Sequence, residues 1–240
     1  MTTPDPTPSP TTSEAPVPGA SSTGAPSTDA PAPLWGETRA SRRAATSGPD
    51  RSQRLVAENS VVVLVDLQER LMPAIHDDAA VRQRARLLAH GAQESGVPVV
   101  GTEQNPDKLG PLVDALPESC VRVLPKMHFG ACEDGLLELL DDVARGRDQV
   151  VLAGTEAHVC LMQTALGVLE SGRQAWVVSD ACGSRDPRDA HAAMARLSFS
   201  GVRVVTTEMA VFEWLHTCEH PSFRAMSRQI KEPRFPSIDS

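Results

Sequence analysis

"DQVVLAGTEAHVCLMQTALGVLESGRQAWVVSD", residues 148–180, decides the fold. Its first seven residues (148–154) are an apolar, β-branched run that stops at Gly154, the pattern of a strand buried on both faces. Residues 158–172 carry helical periodicity and close at Gly172, a helix stop signal. Residues 174–180 form a second apolar run. Strand, helix and strand thus follow one another, and a single cysteine, Cys160, stands where the helix begins.

The same alternation extends in both directions. "VVVLVDL" (61–67), "VPVVGT" (97–102), "CVRVLPK" (120–126) and "VRVVTT" (202–207) read as strands. Residues 77–96, 133–144 and 187–201 read as helices, and 208–230 as a terminal helix or two. About six strand–helix alternations predict one α/β domain with a parallel sheet and helices on both faces. Ten of the 20 prolines fall in the first 50 residues, among Ser, Thr, Ala and Gly. Such a segment buries too little apolar surface to offset its ordering entropy, so residues 1–50 are expected to be a disordered tail and 51–240 the domain.

Composition narrows the function. A net charge of −8 with no basic cluster argues against nucleic acid as a partner. No apolar run reaches the ~18 residues of a membrane span, and the N-terminus has no secretory pattern. The five cysteines are scattered and never form a C-x-x-C pair, against a disulfide framework or a zinc ribbon. A soluble, cytoplasmic protein with reduced thiols is expected. No G-x-G-x-x-G or P-loop pattern follows any strand, which speaks against a nucleotide-binding module.

In open parallel sheets the ligand site lies beyond the carboxyl ends of the strands. Asp66 follows the first strand, Glu103 the second, Lys126 ends the third, and Cys160 follows the fourth. Each has a bland reading: Asp66 a helix cap, Lys126 a solvated surface residue, Cys160 core packing. Together they make a thiol nucleophile, an acid/base and a cation. A helix N-terminus and a nearby ammonium would both favour the thiolate, so alkylation of Cys160 near pH 6 is expected. Backbone N–H groups before Cys160 could hold an oxyanion.

"VVVLVDLQERLMPAI", "GTEQNPDKLG", "LPKMHFGA" and "GTEAHVCLMQTALGVLESGRQAWVVSDACGSR" resemble the isochorismatase-like cysteine hydrolase family, over roughly residues 58–215. The resemblance implies a three-layer α/β/α fold around a six-stranded, mostly parallel sheet. It implies an Asp66–Lys126–Cys160 triad, a cis peptide at Thr155–Glu156, and an oxyanion hole made by the N–H groups of Glu156 and Cys160. It also implies a homo-oligomer, for which "EMAVFEWLHT" (208–217) is the candidate contact. Gln68, Glu103, His128, Phe129 and His158 are the candidate substrate-binding residues.

Nicotinamidases in this family carry an Asp-x-His metal pattern after the second strand. Here "TEQNPDKLG" has no histidine, so no metal and no cofactor are expected. The reading is hydrolysis of a small amide or related C–N substrate through a thioester on Cys160. The alternatives are an isochorismatase-type vinyl ether hydrolase and a catalytically idle oligomeric scaffold.

Overall fold

A computed structural model describes residues 54–231. The tail expected over residues 1–50 lies outside the described residues. Six strands, β1 (Ser60–Val65), β2 (Val99–Gln104), β3 (Arg122–Lys126), β4 (Gln149–Thr155), β5 (Gln174–Gly183) and β6 (Arg203–Val205), form one sheet in the order β3-β2-β1-β4-β5-β6. Every neighbouring pair is parallel. The helices of eight residues or more are α1 (Asp78–Glu94), α2 (Leu136–Val143), α3 (Met162–Glu170), α4 (Pro187–Phe199), α5 (Thr207–Leu215) and α6 (Phe223–Lys231). The terminal segment is therefore two helices.

The continuous apolar run of β1 has a simple cause. Successive side chains point to opposite faces, and both faces are covered. Val62 and Leu64 pack with Val81, Ala85 and Leu88 of α1, Trp214 of α5 and Met226 of α6. Val61, Val63 and Val65 pack with Leu140 of α2, Ala165 of α3 and Leu197 of α4. The result is the three-layer α/β/α arrangement. Ala210, Val211, Trp214 and Leu215 of α5 are buried in this chain's own core, so the segment expected to make an oligomer contact is largely used internally. No helix among the described residues is long and apolar enough to cross a membrane.

Strand order reverses between β1 and β4, the position where doubly wound sheets bind ligands. The two strands meet very closely there. Gly154 pairs with Val65, and a Cβ at Gly154 would lie 2.0 Å from the Val65 carbonyl oxygen. Its φ of +147° also disfavours any side chain. Beyond this contact both chains leave the sheet through left-handed residues, Asp66 (φ 51°) and Glu156 (φ 48°). Non-glycine residues rarely take this conformation, and it gathers at functional sites. The first strand accordingly stops at Val65, short of the expected Leu67.

Candidate active site

The helix expected at 158–172 opens differently from its sequence pattern. Ala157–Leu161 make one wide turn in which the Leu161 N–H donates to the Glu156 carbonyl five residues back, at 3.3 Å. Regular α-helix begins at Met162. Such wide turns are uncommon and frequent at functional sites. Cys160 sits inside this turn, 4 % exposed.

The structure brings Asp66, Lys126 and Cys160 together. Lys126 Nζ is 2.7 Å from Asp66 Oδ2, and both side chains are wholly buried. The Asp66 carboxylate also accepts a hydrogen bond from Thr102 Oγ1, at 2.7 Å, and its charge acts on the nearby Cys160 thiol. Lys126 donates further to Gln104 Oε1 at 2.7 Å and to the carbonyls of His128 and Phe129 at 3.2 and 3.1 Å. Thr155 Oγ1 donates to the Asp66 carbonyl at 2.5 Å, tying the β1 and β4 ends to each other.

This geometry corrects the expected thiolate. Burial pushes the Cys160 thiol up to about 12, the Asp66 charge adds to that, and Lys126 pulls the other way without prevailing. The ammonium is in direct contact with Asp66, so its field at the sulfur is largely offset. The resting group is a neutral thiol close to a carboxylate, and alkylation near pH 6 is no longer expected.

The remaining candidates are distributed around this centre. Gln68 does not offer its side chain to a ligand. It is fully buried, its amide donates to the carbonyls of Gln104 and Gly110 at 3.0 and 2.7 Å, and its carbonyl accepts from Gln104 N at 2.8 Å. Glu103 likewise accepts from Leu112 N at 2.9 Å and holds a loop. His128 and Phe129 have exposed side chains and touch the centre through their backbone carbonyls. The His128 imidazole is bound to Asp134, which raises its pKa. His158 Nδ1 lies 2.9 Å from Ser184 Oγ and 3.5 Å from Glu156 Oε2.

Sequence reasoning missed Thr102, Gln104 and Arg185, whose Nε donates to Glu156 Oε1 at 2.9 Å. A signal for the first two was present. Side chains alternate along a strand, so Thr102 and Gln104 share the face that meets Asp66 and Lys126, while Glu103 points away. Among the described residues no group of three or more His, Cys, Asp or Glu is placed to hold a metal ion.

Comparison with known proteins agrees with the fold. The isochorismatase domain family matches residues 60–209. Isochorismatase domain-containing protein 2A of Mus musculus is 34% identical over 183 residues, covering 75% of this chain and 86% of the mouse protein. A solved structure described as MAR1 ribonuclease from Caenorhabditis elegans is similar with a TM-score of 0.70 and 28% identity, over 78% of this chain and 97% of that one. YcaC from Pseudomonas aeruginosa, solved with hexane-2,5-diol and covalent acrylamide, is similar with a TM-score of 0.63 and 25% identity, over 75% and 96% of the two chains.

Proposed function

This chain belongs to the isochorismatase-like hydrolase family, and from that premise we propose that it is a cysteine hydrolase acting on a small amide or related C–N substrate. The observation that carries the reading is the wholly buried Asp66–Lys126 pair, 2.7 Å apart, with the buried Cys160 thiol within reach of both charges. In this proposal the sulfur attacks the substrate carbonyl carbon while Asp66 takes the thiol proton. The backbone N–H groups of Glu156 and Cys160 stabilise the oxyanion. As the tetrahedral intermediate collapses, the C–N bond breaks and Asp66 returns the proton to the leaving nitrogen. The thioester is then hydrolysed by a water whose proton goes to Asp66, releasing the acid and restoring the thiol. Lys126 holds the Asp66 carboxylate in place through their 2.7 Å contact and is itself fixed by Gln104 and the 128–129 carbonyls. No metal or cofactor takes part in this scheme, the substrate is a small molecule, and the family resemblance supports a homo-oligomer.

The covalent acrylamide in the Pseudomonas structure supports a reactive group in that relative. The test is turnover of an amide panel by the wild type, Cys160→Ala and Asp66→Asn. The panel includes a vinyl ether and an RNA oligomer, the latter because the Caenorhabditis relative is described as a ribonuclease. Amide hydrolysis that disappears in both variants is the expected result. Hydrolysis of the vinyl ether or RNA by Cys160→Ala would replace the proposal, and inertness towards the whole panel would favour the scaffold alternative.

A further inference from the structure

We propose that a cavity separate from the thiol site binds a small molecule through an oxyanion, carboxylate or phosphate, held by the guanidinium of Arg84. Arg84 stands on the inward stripe of α1 with Val81, Ala85 and Leu88, a register that normally carries apolar residues. Its side chain is 6% exposed. It forms a long ion pair with Asp180, Nε to Oδ2 at 3.8 Å, beyond hydrogen-bond distance. Asp180 itself is fixed, because its other oxygen accepts from Thr207 N and Oγ1 at 2.7 and 2.9 Å. Among the described residues the Arg84 guanidinium makes no hydrogen bond. Arginine is almost never this buried unless paired, and the long ion pair with Asp180 leaves the guanidinium's hydrogen-bond donors without an acceptor from the described residues.

A ligand supplies one. Arg84 lines a cavity of about 370 Å³ together with the hydroxyl-bearing Ser179 and Ser184 and with His76. That volume lies in the range of small-molecule sites. The first turns of two long helices, at Ala80–Val81 of α1 and at Pro187–Ala190 of α4, also border it. Helix N-termini favour anions, and the planar guanidinium fork matches carboxylate and phosphate oxygens in pairs. The exposed Asp77 at the mouth favours a ligand of low charge. Asp66, Lys126 and Cys160 do not line this cavity. It opens at the carboxyl end of β5, where Ser179 and Asp180 follow the buried run 175–178 and Ser184 follows the strand.

The experiment is isothermal titration of the full chain with sodium phosphate and with sodium benzoate, against sodium chloride at matched ionic strength. Saturable 1:1 heat with phosphate or with benzoate is expected, and which salt gives it identifies the source of the oxyanion. Arg84→Gln should weaken that binding at least about tenfold, the loss of a charge-assisted bidentate contact. If Arg84→Gln does not fold because Asp180 is left buried without its ion partner, Arg84→Gln/Asp180→Asn removes both charges and gives the same reading. Absence of binding by the wild type up to about 10 mM of either salt, weaker than any useful site, overturns the proposal. So does binding that survives undiminished in the folded variant.

Discussion

Replacing Lys126 by methionine keeps most of the apolar stem and removes the ammonium from the centre of the site. At 2.7 Å the Lys126–Asp66 attraction is worth about 6 kcal/mol in an effective dielectric of ~20, before desolvation is subtracted. Both side chains are wholly buried, so the variant leaves a carboxylate without its counter-charge, and the Gln104, His128 and Phe129 oxygens lose their donor. Breaking one side of a buried pair costs about 3–5 kcal/mol. For a domain of this size that corresponds to a fall in melting temperature of roughly 6–20 °C. A solvated surface lysine, the bland alternative for Lys126, would contribute little to stability; the buried pair reverses that. The assay is a double-mutant cycle of Lys126→Met and Asp66→Asn by denaturant unfolding at pH 7.5. The double variant should be more stable than Lys126→Met alone, because no lone charge remains. A Lys126→Met domain within about 1 kcal/mol of the wild type, or a coupling energy near zero, would refute the view that these two groups form one buried unit.

The other expectations are simpler to state. With its thiol pushed up to about 12, Cys160 should be alkylated by iodoacetamide at a rate that rises throughout the range from pH 7 to 10 without reaching a plateau. Asp66→Asn removes the nearby charge that raises this pKa, so it should speed alkylation at fixed pH; a slower or unchanged rate would contradict the assignment. Gly154→Ala drives a methyl group into the Val65 carbonyl at a backbone angle alanine resists, and should cost about 3 kcal/mol or more in thermal unfolding. A Gly154→Ala melting temperature equal to that of the wild type would mean that β1 and β4 are not so close. Gln68→Ala leaves one backbone N–H and two carbonyls without their partner, and should lose about 2–3 kcal/mol while any KM change stays small.

The fold was legible because its strands are short, apolar on both faces and separated by periodic helices. The β1 run from Val61 to Val65 reads as a buried strand without any knowledge of its neighbours, and the switch point between β1 and β4 follows once the order is known. The three central residues were legible for the same reason, since each stands at or just past a strand end. Three things were not. The choice of Glu103 over Gln104 ignored the two-residue period that turns Gln104 towards Lys126. The state of Cys160 depends on a contact between Asp66 and Lys126 that cancels most of the ammonium's field, and only tertiary structure sets it. Arg84 sat in plain view on the apolar stripe of α1, but its lack of hydrogen-bond partners can be seen only when the neighbours are in place.

The central claim is that Cys160 becomes acylated during turnover. Intact-mass and peptide mass spectrometry after a brief exposure of the full chain to p-nitrophenyl acetate, a small activated acyl donor, tests it directly. The account predicts a single acetyl group on the peptide containing Cys160 in the wild type and none in Cys160→Ala. Release of nitrophenol by the wild type with Cys160 unmodified, or an acetyl group that accumulates on another residue and persists in Cys160→Ala, would contradict it.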